Sequence, residues 1–99
     1  LRALRERFTD IIIEDRHSTF NTEVMNALEL DFMLDVAEAV AHSALQRKES
    51  RGSHTRIDFP KRDDGTFLKH TLASWTPDGP RIGYLPVTIT RWPPEERKY

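Results

Sequence analysis

The stretch that decides the fold is TEVMNALELDFMLDVAEAVAHSALQRKES, residues 22–50, which contains neither Gly nor Pro. Apolar residues recur in it at helical spacing, so the pattern predicts one long helix, roughly 40 Å from end to end. One stripe consists of Met25, Leu28, Phe32, Val36, Ala39, Val40 and Ser43. A second set widens it: Leu30, Met33, Leu34, Ala37, Ala41, Ala44 and Leu45. A helix this broadly apolar packs on more than one side.

The predicted ends of this helix carry their own signals. Asn21 is a good N-cap, and Phe20 with Met25 could form a hydrophobic staple around it. Five acids and no Lys or Arg lie between residues 21 and 46, and two bases follow, an order that suits the helix dipole. Gly52 is placed to end the helix in a left-handed C-cap.

The segments around the long helix complete a mainly α fold with a β-hairpin. Residues 1–13 predict a short amphipathic helix, and because the chain opens inside that pattern without Met, we expect an excised piece. One short helix cannot cover the broad apolar face of the long helix, so we also expect another helix upstream. Residues 55–66 are irregular, about 67–90 predict a hairpin around the turn 76–80, and the tail is extended. We therefore expect a helical segment over 1–54 and a hairpin-and-tail segment over 55–99 within one domain.

Composition excludes several classes of function. The 99 residues carry a net charge of −1 and no cysteine, which removes disulfides, thiolate metal sites and thiol catalysis. No apolar run reaches the ~20 residues that span a bilayer, so direct membrane insertion is not expected. His42 lacks a second helical ligand, and no serine has nucleophile context, so we predict no catalytic, cofactor or metal site in this sequence.

Residues 47–62 form a basic segment with six bases and two acids, a local net of +4. A nucleic-acid patch is one interpretation, but no binding motif accompanies it, and we expect no nucleic-acid partner. Glu49 and Asp58 alternate with the bases, which favours ion pairs within the chain. The neighbouring Asp63 and Asp64 lack the ligand pattern of a calcium loop and predict a solvated turn.

The same segment carries a resemblance to a known family. RKESRGSHTRIDFP (47–60), RDDGTFLKHTL (62–72) and PPEERKY (93–99) resemble the C-terminal domain of succinate dehydrogenase and fumarate reductase flavoprotein subunits, with the bacterial fumarate reductase type as the best match. STFNTEVMNALEL (18–30) and AEAVAHSALQRKESRG (37–52) are similar to that family in the same order. The resemblance covers nearly the whole chain. L-aspartate oxidase shares the S-R-G-x-H element, but its tail is less similar.

The resemblance implies a larger parent protein. Its parent would bind FAD in upstream domains, interconvert fumarate and succinate in aerobic or anaerobic respiration, and pass electrons to an iron–sulfur subunit beside a membrane anchor. Such a protein is cytoplasmic and peripheral on the inner face of the bacterial plasma membrane. The family's catalytic and FAD-attachment residues have no counterpart here, and its C-terminal domain is a three-helix, spectrin-repeat-like bundle with a β-containing tail.

Within that family this chain is expected to serve as a docking, assembly or stability domain against the FAD and capping domains. The candidate docking residues are Arg51, Gly52, His54, Arg56, Arg97 and Tyr99. An arginine fork suits carboxylates and carbonyls across an interface, but the same residues could instead only tie the tail to the bundle. Other hypotheses are an L-aspartate oxidase fragment and an independent helical protein-binding module. Self-association of the isolated piece through its apolar face stays open.

Overall fold

A computed structural model of the chain describes residues 1–95 and shows a mainly helical fold with one antiparallel hairpin, as the sequence predicts. The elements in chain order are α1 (Arg2–Phe8), α2 (Thr22–Gln46), α3 (Asp64–Phe67), β1 (Lys69–Ser74) and β2 (Arg81–Pro86). The candidate docking residues Arg97 and Tyr99 lie outside the described residues.

Helix α2 begins at the predicted cap, but without the predicted staple. The Asn21 side chain accepts a hydrogen bond from the Val24 amide at 3.0 Å, which satisfies one of the free donors of the first turn. Phe20, however, has φ 52° and is 92% exposed, and Met25 is exposed as well. The left-handed backbone at Phe20 turns its ring away from the helix, so the staple prediction is wrong.

The other end of α2 comes at Gln46 rather than near residue 50. Arg47 leaves the helix with φ −82° and ψ 99°, and this extended residue carries the chain into the junction where the Glu49 side chain is buried. Gly52 has the left-handed φ of 60° expected for it but lies beyond the helix. It opens a tight turn in which Arg51 and His54 exchange two backbone hydrogen bonds of 2.8 and 3.0 Å.

The hairpin is shorter than the predicted range of about 67–90. Strand β1 pairs with β2 in register from Lys69–Pro86 to Ser74–Arg81, and β2 ends at the proline, which cannot donate to a ladder. The turn closes by a 3.0 Å bond from the Gly79 amide to the Thr76 carbonyl, with Gly79 at φ 111°. The residues before β1 form the unpredicted helix α3, whose N-cap Asp63 accepts from the Thr66 amide at 2.9 Å.

Helix α1 ends at Phe8 instead of near residue 13 and meets α2 through an ion-pair row. Arg5 donates to Asp35 at 2.6 Å and to Glu38 at 3.2 Å, and Asp31 lies 4.0 Å away. These acids recur at i, i+4 and i+7 and therefore share one side of α2. Hydrogen bonding to Asp35 raises the pKa of Arg5.

The chain leaves a large part of its surface uncovered. Its accessible surface is 8753 Å², whereas a compact monomer of 11.6 kDa exposes about 5,800 Å². Its radius of gyration is 18.9 Å against about 13 Å for a compact chain of this length. Among residues 1–95 the buried apolar side chains are Leu34 and Phe67. The α2 stripe is largely exposed along its length, at Met25, Leu28, Phe32, Val36 and Val40.

We expect Asn21→Ala to lower the free energy of unfolding by about 1 kcal/mol, because the cap for the Val24 amide is lost. The two loop carbonyls that the Asn21 amide now satisfies, those of Asp15 and His17, lose their donor as well. Denaturant unfolding of the two proteins measures the change. Asn26→Ala is the matched control inside the exposed part of α2, where alanine should slightly stabilise the helix. Equal effects of the two substitutions would contradict the cap.

Candidate functional site

The predicted docking segment is organised around a buried carboxylate, that of Glu49, which is 0% exposed. It accepts hydrogen bonds from Arg47 Nε at 2.9 Å, from Arg51 Nε at 2.9 Å and Nη2 at 3.0 Å, and from the Asp63 amide at 2.9 Å. We call Glu49 with these three partners the Glu49 cluster. Both carboxylate oxygens are satisfied, which is the condition under which a buried charge is tolerated.

The cluster keeps Glu49 ionised. Burial by itself raises the pKa of a carboxyl group, but the hydrogen bonds from Arg51, the Asp63 amide and Arg47 outweigh burial and lower the pKa of Glu49 from 4.5 to about 2. The same contacts act on the partner: hydrogen bonds to Glu49 and Asp64 raise the pKa of Arg51, although burial opposes them. The pair is therefore charged throughout the physiological pH range.

Arg47 connects the cluster to the hairpin. Its Nη2 donates to the Phe67 carbonyl at 2.5 Å, and its Nη1 donates to the Lys69 carbonyl at 3.1 Å and the Thr71 hydroxyl at 3.0 Å. Its guanidinium also lies 5.6 Å from the centroid of the buried Phe67 ring. One side chain thus joins the end of α2 to α3 and β1.

Arg51 connects the cluster to the start of α3 and, through it, to the tail. Its Nη2 lies 2.5 Å from Asp64 Oδ1, and the second oxygen of Asp64 is 2.9 Å from Arg62. Arg62 in turn donates to the Glu95 carbonyl at 2.8 Å. Glu49, Arg51, Asp64 and Arg62 therefore form a continuous row of alternating charges that ends at the last described residue.

Arg56 caps the C-terminus of α2. Its Nη1 lies within hydrogen-bonding distance of three carbonyl oxygens left without helical partners, those of Ala44, Leu45 and Arg47, at 3.2, 2.6 and 3.2 Å. Asp58 holds its other edge through two bonds of 2.8 and 2.5 Å. Their mutual hydrogen bonding raises the pKa of Arg56 and lowers that of Asp58. Positive charge at a helix C-terminus also suits the helix dipole.

His54 completes this cap from the turn that Gly52 opens. His54 Nε2 lies 3.2 Å from the Arg47 carbonyl, so the contact requires the proton on Nε2. Ser50 supports the same turn, since its hydroxyl accepts from the Arg56 amide at 2.8 Å and donates to the Phe59 carbonyl at 2.8 Å. The segment is held by side chains rather than by regular secondary structure.

The structure thus brings four of the six predicted docking residues into one connected segment, Arg51, Gly52, His54 and Arg56. Sequence reasoning correctly expected ion pairs at Glu49 and Asp58. It missed Arg47 and Glu49 as the centre, because it placed both inside the helix. A signal was present: Glu49 is the sole acid between Arg47 and Arg56.

This arrangement positions segments of the chain relative to one another. Within residues 1–95, no group of three or more His, Asp or Glu side chains is arranged to hold a metal ion. In the same range no helix has both the length and the apolarity to cross a membrane. What the site does chemically is to fix the chain that links α2, α3 and the hairpin.

Comparisons with known proteins point to one family. The family described as "Fumarate reductase flavoprotein C-term" matches residues 1–99. The fumarate reductase flavoprotein subunit of Mycobacterium tuberculosis is 59% identical over 100 residues, and that of Escherichia coli K12 is 50% identical over 102 residues. The succinate dehydrogenase flavoprotein subunit of Rickettsia felis is 43% identical over 107 residues. Each alignment covers 100% of this chain.

A solved structure agrees with these sequence relatives. The FrdA chain of E. coli quinol fumarate reductase superposes with a TM-score of 0.89 at 49% identity over 96% of this chain. The chain spans only 17% of the length of that structure and of the M. tuberculosis and E. coli relatives.

We expect Glu49→Gln to destabilise the chain by about 3–5 kcal/mol, because it leaves two arginines around a neutral group in a buried site. Denaturant unfolding measures the loss. Glu29→Gln is the matched control, since Glu29 is exposed on α2 and forms no ion pair within the described residues. A similar small change in both variants would contradict the role of the cluster.

The Glu49 cluster also predicts how stability depends on pH. The pKa of Glu49 is about 2 in the folded chain and near 4.5 in the unfolded chain. This difference contributes roughly 3 kcal/mol to the free energy of unfolding, and the contribution is complete above pH ~4.5. That contribution falls as the pH drops from about 4.5 to about 2, where the folded carboxylate takes up its proton. Unfolding free energies measured across this window should decline more steeply in the wild type than in Glu49→Gln. Parallel curves would rule out the cluster as the source.

Proposed function

The chain belongs to the family of fumarate reductase flavoprotein C-terminal domains, and we propose that it serves its parent flavoprotein as an accessory domain for docking, assembly and stability. The observation that carries this role is the exposed apolar stripe of α2 beside a polar end that is already satisfied internally. An exposed apolar face of this length marks an interaction surface. The Glu49 cluster would hold the hairpin and tail in place while that surface contacts the rest of the protein.

The finer architecture we propose is the C-terminal part of a three-helix, spectrin-repeat-like bundle. Helix α1 contacts α2 through the Arg5 row. Successive residues of a helix are rotated by about 100°, so Met25 lies on the side of α2 opposite to the buried Leu34. The stripe around Met25 is therefore left for a further helix. Between α2 and β1 lies an open apolar groove of about 430 Å³, lined by Val36, Val40 and Ala73 among others.

The candidate docking residues divide into two groups in this proposal. Arg51, His54 and Arg56 fix the segment from within, and the turn at Gly52 is presented at the surface. Arg97 and Tyr99, further along the tail that Arg62 holds at Glu95, would supply the contacts to other domains. In this proposal the first group holds the tail in place, and the second group uses that position to contact other domains.

For the parent protein we propose the activity that its relatives' names state: reduction of fumarate or oxidation of succinate by a flavoprotein. FAD would be bound by domains outside this chain, and the partners would be those domains, an iron–sulfur subunit and a membrane anchor. The protein would then be cytoplasmic and peripheral on the inner face of the bacterial plasma membrane. Neither an L-aspartate oxidase fragment nor an independent binding module is favoured, since the family match spans the whole chain.

We expect Arg97→Ala in the full-length flavoprotein to lower the flavin content and the amount of iron–sulfur subunit that copurifies, because a clamp between domains is lost. Arg51→Ala should lower both quantities indirectly, because loss of a member of the Glu49 cluster loosens the segment that carries the tail, and it should also lower the melting temperature. Absorbance at the flavin band and subunit stoichiometry measure both effects. Lys48→Ala is the control, an exposed base with no bond among the described residues. Flavin content and assembly equal to wild type in both arginine variants would exclude docking.

A further inference from the structure

The loop before α2 presents an aromatic side chain in a strained conformation. Phe20 has φ 52° and is 92% exposed, and no other non-glycine residue among 1–95 has a positive φ. The left-handed region is disfavoured for a residue with a bulky side chain, and strain of this kind persists where the surroundings impose it. The ring is exposed, so packing against other residues of 1–95 does not offset that strain.

The residues that precede Phe20 are bonded to the start of α2. The carboxylate of Glu23, in the first turn of α2, accepts from the Glu14 and Asp15 amides at 2.8 and 2.9 Å. The Asn21 amide group donates to the Asp15 and His17 carbonyls at 2.7 and 3.1 Å. Two side chains of the helix start thus bind residues 14, 15 and 17 of the segment 14–20, which we call the Phe20 loop. Phe20 lies between these bonded residues and the cap residue Asn21, with its ring exposed.

We infer that Phe20 is an anchor that enters an apolar pocket on another part of the same flavoprotein chain, an inference that rests on the proposed accessory role. Aromatic side chains that insert into pockets carry much of the binding energy at protein interfaces. A preorganised loop loses little conformational freedom when it binds, which favours the contact further.

The charged side chains of the Phe20 loop indicate which groups should surround the pocket. Asp15 and Glu23 are already occupied by amides of the loop, and the His17 ring lies 2.8 Å from Asp15. Arg16 is exposed and makes no hydrogen bond or ion pair within the described residues. The complementary surface is therefore an apolar pocket bordered by carboxylate or carbonyl oxygens.

A pocket on the same chain fits better than one on a separate subunit. This chain covers 17% of the length of its M. tuberculosis relative, so most of the corresponding protein lies outside it. A single aromatic anchor is weak between separate molecules, but within one chain the effective concentration is in the millimolar range and one anchor is enough. The large uncovered surface of the chain agrees with a neighbour in permanent contact.

The test uses Phe20→Asn in the full-length flavoprotein, because asparagine tolerates a left-handed backbone but removes the ring. Hydrogen exchange over the whole subunit should become about tenfold faster in one segment outside these 99 residues, the ratio expected when an interface anchor is truncated. Phe20→Tyr, which keeps the ring, should restore protection. Lys48→Asn is the matched control, since Lys48 is an exposed polar residue outside the loop without a bond among the described residues and should leave exchange unchanged.

Unchanged exchange in Phe20→Asn, or a change confined to residues 14–20, would overturn the anchor. So would a difference that appears only after the iron–sulfur subunit is added, because the pocket would then lie on that subunit. Glu49→Gln in the same flavoprotein separates this inference from the accessory role. Loss of flavin in Glu49→Gln with unchanged exchange in Phe20→Asn would remove only the anchor, whereas retained flavin in Glu49→Gln would remove the accessory role itself.

Discussion

The burial of an ionised carboxylate at the end of α2 is the constraint on which the rest of the structure depends. Glu49 has no contact with water, and its charge is tolerated because Arg47, Arg51 and the Asp63 amide satisfy both oxygens. Arg47 and Arg51 flank Glu49 in the chain, Asp63 lies fourteen residues further on, and Arg47 also bonds to the start of β1. The requirement to satisfy one charge therefore fixes where the helix stops, where α3 begins and how the hairpin is attached.

This constraint compensates for a thin apolar core. Only Leu34 and Phe67 are buried apolar residues in the described part of the chain, and the hairpin alone, with two strands, is marginal in water. Arg47 donates to the carbonyls of Phe67 and of Lys69, the first residue of β1, so the hairpin is placed by directional hydrogen bonds as well as by packing. Directional contacts specify one geometry where a small apolar contact area would allow several.

The sequence predicted the elements better than it predicted their ends. The N-cap at Asn21 and the turn at Gly79 depend on local chemistry, and the structure has both. The end of α2 depends on an interaction between Glu49 and Asp63, fourteen residues apart, which periodicity cannot reveal. A run of good helix formers up to Glu49 was overridden by a buried charge. The staple failed because the backbone at Phe20 is left-handed and its ring is exposed, which the apolar pattern alone does not reveal.

The candidate site could be predicted in position but not in mechanism. The alternation of Glu49 and Asp58 with arginines indicated internal ion pairs. Only the folded chain shows that Arg51 donates three hydrogen bonds to Glu49 and Asp64. An arginine bonded in this way has few free N–H donors for a contact with a second surface. A side chain such as Phe20, which the chain presents but does not use, is better placed for that purpose. In this fold polar residues build the frame, and the accessory role that we propose would give the exposed apolar residues their contacts with neighbouring domains.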